Sequence, residues 1–139
     1  MIRVRAFNAH PKYRVRLREF LRLTRRVMLH QRCKDIACNI IFVDDKDMEN
    51  LNGKYLRRWY PTDVLSFPLD QEDDTVKEGE VYVNLDQARR QAHEYRAIMK
   101  NEVSRLVIHG LLHLLGYRDT TKREKRRMTQ LEDSYLNQA

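Results

Sequence analysis

Two histidines lie four residues apart in the apolar segment HGLLHLLGYRD, which spans residues 109–119. Because residues i and i+4 of a helix share one face, we expect His109 and His113 to present both imidazoles on the same side of a buried helix. Two nitrogens one turn apart can bind a single divalent cation at about 2.0–2.1 Å. The spacing therefore predicts a metal site at the end of this helix.

A glycine and an aspartate follow the histidine pair in an order that suits such a site. Gly116 can adopt the positive φ that ends a helix and reverses the chain, so Asp119 is expected to return toward the imidazoles. Three protein ligands with one open position are typical of catalytic zinc, and two histidines with one carboxylate also suit ferrous iron. We predict that His109, His113 and Asp119 bind one Zn²⁺ ion, with Fe²⁺ or another divalent transition metal left open.

The residues around the pair limit the reaction that the site could catalyse. In zinc proteases with an H-E-x-x-H motif the Glu after the first His is the general base, and here that place is Gly110. The pattern therefore disfavours peptide hydrolysis. Glu80 and Asp63 are candidate bases, but their spacing does not place them near the metal, so the base stays unassigned. Glu102 lies seven residues before His109 and shares its helix face. It is therefore a candidate partner for the His109 ring on the side away from the metal.

Hydrophobic periodicity places the histidine helix in an α+β fold, with a single mixed β-sheet and surrounding helices. The predicted strands are residues 1–8, 36–43, 62–69 and 79–84. The predicted helices are residues 13–30, 44–55, 84–100, 101–115 and 121–137. An acidic loop is predicted to separate the third strand, which ends at Pro68, from the fourth. A chain of 139 residues is long enough for one core and is most simply a single domain.

The charge of the chain favours a polyanionic partner. Lys and Arg exceed Asp and Glu by 27 to 20, which gives a net charge of +7, and basic residues concentrate at 13–27, 55–61 and 120–127. Such a field attracts nucleic acid first and anionic membrane surfaces second. The N-terminus lacks the apolar core of a signal peptide, and the longest apolar run is shorter than the roughly 20 residues of a spanning helix. We therefore expect a cytoplasmic protein.

The two cysteines have neither a redox nor a zinc-binding spacing. Cys33 and Cys38 lie five residues apart in CKDIAC. Strand alternation through residues 36–43 makes Cys38 a small core residue, and both cysteines are expected to be structural.

Three blocks of the sequence follow a known pattern in the same order. The first is LNGKYLRRWYPTDVLSFPL (51–69), the second is EGEVYVN (78–84) and the third is HGLLHLLGYRD (109–119). They resemble the L-N-x-x-Y-R…P-T-[DN]-V-L-S-F-P block, the G-D-I-x-I strand and the H-G-x-L-H-L-x-G-Y-D-H signature of the YbeY family of zinc-dependent endoribonucleases. The resemblance covers most of the chain and implies that residues 1–139 form a single metal-dependent endoribonuclease domain.

The chain departs from the family pattern at three positions. The third metal ligand, usually His, is Asp119, and the acidic residue of the G-D-I strand is Glu80. The arginine after L-N-x-x-Y falls on Leu56, but Arg57 and Arg58 follow at once. The resemblance implies that one of these two arginines contacts RNA phosphate and stabilises the negative charge of the transition state.

The resemblance also implies a function and partners. The expected activity is single-strand-specific cleavage of RNA in ribosomal RNA processing (16S rRNA maturation) and in ribosome quality control. The expected partners are single-stranded RNA, ribosomal RNA and the small ribosomal subunit, whereas DNA and membranes are not expected. An alternative is a non-catalytic ribosome- or RNA-binding protein whose metal is structural. Trp59 and Tyr60 could stack on a base, but core packing is the expected role.

Overall fold

The computed structural model describes residues 1–73 and 75–137, which contain four strands and five helices. The strands are β1 (Ile2–Asn8), β2 (Ile36–Val43), β3 (Val64–Glu72) and β4 (Thr75–Asn84). The helices are α1 (Leu17–His30), α2 (Asp45–Leu56), α3 (Leu85–Glu94), α4 (Met99–Leu114) and α5 (Lys122–Leu136). Within these described residues, no helix is long and apolar enough to cross a membrane.

The strands form one mixed sheet in the order β1-β2-β4-β3. β1 and β4 both run parallel to β2, while β3 pairs antiparallel with β4 at the edge. Cys38, Ile40 and Phe42 alternate along β2 toward the core, where each is at most 1% exposed. This arrangement confirms the predicted α+β class and the structural role of Cys38.

The central helix α4 lies directly against the sheet, and Gly110 allows one of its closest approaches. A Cβ atom at Gly110 would stand 2.5 Å from Val81 Cγ1 and 2.9 Å from Val64 Cγ2, well inside van der Waals contact. The hydroxyl of Ser66 on β3 also donates a hydrogen bond to the Gly110 carbonyl at 2.6 Å. The close approach buries one side of α4 on the sheet and fixes the direction in which its other residues point.

The β3–β4 hairpin differs from the prediction of an acidic loop. β3 continues through Pro68 to Glu72 and pairs with β4, which begins at Thr75. Proline is tolerated because β3 is an edge strand, and the register shifts at Pro68/Asp70, which is a common place for an irregularity. The acidic residues therefore extend a hairpin, and the predicted end of the strand at Pro68 is wrong.

Two helix boundaries also differ from the sequence expectations. α1 begins at Leu17 and not at Tyr13, whose backbone N–H donates to the His10 ring instead of continuing a helix. The helix predicted for residues 84–100 ends at Glu94, and the next helix, predicted from residue 101, begins at Met99. The break lies earlier than predicted because Arg96 adopts a φ of +53° and turns the chain between α3 and α4. The turn separates the surface helix α3 from the buried helix α4.

Candidate metal centre

His109 and His113 project from one side of α4, as their spacing predicts. Their Nε2 atoms lie 2.9 Å apart, and the two rings meet edge to face. The rings are partly exposed, with 26% of the His109 side chain and 31% of the His113 side chain open to solvent. A ligand or substrate can therefore approach the two nitrogens from outside.

The chain reverses directly after the histidines and brings Asp119 back to them. Gly116 has a φ of +101°, and the Gly116 and Tyr117 N–H groups donate to the carbonyls of His113 and Leu112. This is the hydrogen-bond pattern of a Schellman turn. After the turn, Asp119 Oδ2 lies 3.5 Å from His109 Nε2 and 3.3 Å from His113 Nε2.

The three donor atoms fit one cation. Donors bound at about 2.0–2.1 Å around a tetrahedral ion lie roughly 3.3–3.4 Å from one another. The observed separations of 2.9, 3.3 and 3.5 Å bracket that value, and the chemistry of two imidazoles and one carboxylate suits zinc or ferrous iron. The structure thus brings together the three residues predicted as ligands in a group that could hold a metal.

Each imidazole is held through its second nitrogen. His113 Nδ1 lies 3.0 Å from the Tyr117 carbonyl oxygen, and His109 Nδ1 lies 2.8 Å from Glu132 Oε2. Both partners are acceptors, so a proton on Nδ1 of each ring would complete these hydrogen bonds and leave the lone pair of Nε2 directed toward the cluster. Such partners behind the ligands fix ring orientation and raise ligand basicity.

Glu132 is a residue of this site that the sequence analysis missed. It lies on α5, is 6% exposed, and accepts from Arg105 at 3.3 Å through its other oxygen. The expectation that Glu102 would support His109 is wrong, because Glu102 accepts a hydrogen bond from Gln91. A signal for Glu132 was present: it follows Met128 by four residues, so it shares the apolar face of α5.

The negative groups around His109 outweigh the effect of its burial on its pKa. Burial of the ring disfavours its charged form, but the hydrogen bond that its Nδ1–H donates to Glu132 and the charges of Glu132, Asp119 and Asp63 outweigh this effect. The pKa of His109 therefore lies above its ordinary value. The same negative charges stabilise any cation that approaches Nε2.

The structure distinguishes the two candidate bases by their surroundings. Asp63 is close enough for its charge to raise the pKa of His109, whereas Glu80 accepts a hydrogen bond from the Tyr82 hydroxyl on β4. A protease-type Glu has no room at position 110, because even a Cβ atom there meets Val81 and Val64. The close packing of α4 on the sheet therefore excludes a glutamate base at this position.

The predicted RNA-binding arginines lie at the end of α2. Arg57 caps the helix with a φ of +56°, and the N–H groups of Arg57 and Arg58 donate to carbonyls of the last turn. Trp59 and Tyr60 are 65% and 51% exposed, so the expectation of core packing is wrong. The four residues form an exposed basic and aromatic surface, and a phosphate contact by either arginine stays a prediction.

The fold and the site together define an α+β protein with a partly exposed group of side chains that could hold a metal ion at the end of its central helix. A family model described as endoribonuclease YbeY matches residues 6–139. The chain belongs to the YbeY endoribonuclease family.

Individual relatives agree with this assignment. The endoribonuclease YbeY of Acholeplasma laidlawii is 39% identical over 118 residues, which cover 81% of this chain and 85% of the relative. That of Carboxydothermus hydrogenoformans is 42% identical over 100 residues, covering 71% and 69%. The solution structure of TM1509 from Thermotoga maritima superposes with a TM-score of 0.64 at 27% identity, covering 98% of this chain and 87% of that one.

Proposed function

We propose that this chain is a single-strand-specific, metal-dependent endoribonuclease that acts in 16S ribosomal RNA maturation and in ribosome quality control. Membership in the YbeY family supports RNA as the substrate. The observation that carries the metal-dependent part is the convergence of His109 Nε2, His113 Nε2 and Asp119 Oδ2 within 3.5 Å of one another at a partly exposed position.

We propose that these three donors hold one Zn²⁺ ion, although the same donor set accepts Fe²⁺. A divalent metal bound there supplies a Lewis acid that polarises a phosphate oxygen or lowers the pKa of a water molecule. Glu132 and the Tyr117 carbonyl hold the two imidazoles in the orientation that this chemistry needs.

The remaining roles fall to charged groups around the donors. Asp63 is the better placed of the two candidate bases, because its charge reaches His109. Arg57 or Arg58 stabilises the negative charge that develops on phosphate, and the exposed Trp59 and Tyr60 offer rings on which unpaired bases can stack. Stacking requires unpaired bases and would therefore favour single-stranded RNA over a duplex.

The proposed setting is the small ribosomal subunit. A net charge of +7 suits a protein that works on a large RNA surface, because lysine and arginine release counterions from phosphates on binding. Docking on the subunit would then bring a single-stranded segment of its RNA to the metal site.

The test compares His113→Ala with His93→Ala, which removes an exposed histidine on α3 that lies outside the donor group. With metal-loaded protein and a labelled single-stranded RNA, we expect His113→Ala to lower the cleavage rate by on the order of 100-fold or more. Its affinity for the same RNA should change less than about twofold, since the phosphate contacts remain. His93→Ala should match the wild type in both measurements.

A duplex of the same sequence should be cleaved far more slowly than the single strand. If the metal-loaded wild type binds single-stranded RNA well but cleaves none of it, the protein is a non-catalytic RNA-binding protein with a structural metal.

A further inference from the structure

A cavity of about 510 Å³ opens beside His113. Its walls come from three parts of the chain: the loop between α1 and β2, the β3–β4 hairpin, and the last turn of α4 with Gly116. Binding sites for small organic groups usually measure about 300–1,000 Å³, so the cavity is large enough for a nucleotide. Because His113 is both a wall of this cavity and one of the three donors, an occupant would lie next to the metal site.

The charge of the cavity is positive. Arg32, Lys34 and Lys77 line it, and Asp35 is the one carboxylate among its described lining residues. Asp35 is already engaged, since it lies 2.5 Å from the amino terminus of Met1. The described lining thus carries three cations against one carboxylate, and this net positive charge favours an anion that enters from solvent.

Part of the cavity wall is apolar. Leu114 and Val76 are buried and line the cavity together with the partly buried Leu115. An apolar surface beside a group of cations matches the two halves of a nucleotide, a flat base and a charged phosphate. A small inorganic anion such as free phosphate would contact the cations but leave the apolar residues of the cavity uncovered.

We propose that this cavity binds one nucleotide of the RNA strand next to the bond that is cleaved, with its base against Leu115 and its phosphate at Lys34 and Lys77. The proposal rests on the proposed endoribonuclease function and adds a subsite to it. It explains how a strand is held in register at the metal: one nucleotide is anchored in the cavity while the adjoining phosphate lies at His113.

The test removes two cavity charges with Lys34→Gln and Lys77→Gln together. The control removes two exposed charges elsewhere with Arg5→Gln on β1 and Lys46→Gln on α2, neither of which lines the cavity. The probe is a fluorescein-labelled 2′-O-methyl oligouridylate, which resists cleavage, and binding to the metal-loaded protein is followed by fluorescence anisotropy across salt concentrations of about 50–200 mM.

For single strands each phosphate contact contributes about 0.7 to the slope of log K against log salt, so the cavity variant should show a slope shallower by about 1.4. Its affinity should fall about tenfold near 150 mM salt, while the control variant keeps the wild-type slope. On unmodified RNA the cavity variant should raise KM more than it lowers kcat.

The proposal is overturned if the cavity variant keeps the wild-type slope, or if the control loses as much slope as the cavity variant. The second result would mean that the whole basic surface attracts RNA without a defined subsite. If the slope changes as expected but the wild type cleaves no unmodified RNA, the subsite stands and the endoribonuclease function fails.

Discussion

The carboxylate of Glu132 lies 2.8 Å from His109 Nδ1, and this contact turns His109 Nε2 toward Asp119. Glu132 is itself fixed from the other side by Arg105, four residues before His109 on α4. A buried carboxylate on α5 therefore sets the orientation of a donor on α4. The two helices must be packed correctly before the donor group can form.

Glu132→Ala should weaken metal binding by about 10–100-fold, because His109 loses the acceptor that orients it. Affinity for Zn²⁺ can be measured by competition with a chromophoric chelator. Asp133→Asn is the matched control, since Asp133 contacts Arg105 but not the histidine. Equal zinc affinity in Glu132→Ala and the wild type would show that His109 is oriented without this contact.

The third donor determines which metal the site prefers. Asp119→His would give the three-imidazole set usual in the YbeY family, so this variant should keep zinc binding and lose affinity for ferrous iron relative to zinc. Asp119→Asn should weaken the binding of both ions by at least about tenfold, since a neutral amide oxygen replaces an anionic one. Metal affinities measured anaerobically test both expectations. Unchanged affinities in Asp119→Asn would place this carboxylate outside the ligand set.

Gly110→Ala should destabilise the protein by about 1–3 kcal/mol, because the added methyl group collides with Val81 and Val64. Urea denaturation measures the change in the free energy of unfolding. In a double-mutant cycle, Val81→Ala should recover part of the loss by removing the nearer methyl group. Strict additivity of the two substitutions would show that the collision is not the cause.

The two cysteines should differ sharply in reactivity. Burial raises the pKa of both thiols, that of Cys38 to about 12. Cys38 is 1% exposed, whereas Cys33 is partly exposed. Since the thiolate is the reactive form, a thiol reagent at mildly alkaline pH should label Cys33 first and Cys38 only on unfolding. In the Cys33→Ser variant Cys38 is the one remaining thiol, so its labelling can be measured separately. Rapid labelling of native Cys33→Ser would contradict the burial of Cys38.

The parts of this structure that follow local rules could be predicted from the sequence. The spacing of His109 and His113, and the helix-ending Gly116 before Asp119, are properties of a short segment whose geometry is set by the helix and its C-terminal turn. The buried strand 36–43 likewise needs only its β-branched run. The resemblance of three sequence blocks to the YbeY family then identified RNA as the expected substrate, which composition alone left open.

The parts that depend on distant packing could not be predicted. Glu132 reaches His109 across 23 positions of sequence, and only the docking of α5 on α4 reveals the contact. The break near Arg96 carries no glycine, since arginine itself takes the positive φ there. The β3–β4 hairpin contains a proline and many acidic residues, and its strands form because they pair with each other at the sheet edge.

Anomalous diffraction from a crystal of the metal-loaded protein, recorded on both sides of the zinc absorption edge, tests the central claim most directly. The account predicts a single strong peak about 2.0–2.2 Å from the Nε2 atoms of His109 and His113 and from a carboxylate oxygen of Asp119. A fully loaded protein with its peak elsewhere, or with the Asp119 carboxylate turned away from the ion, would contradict it.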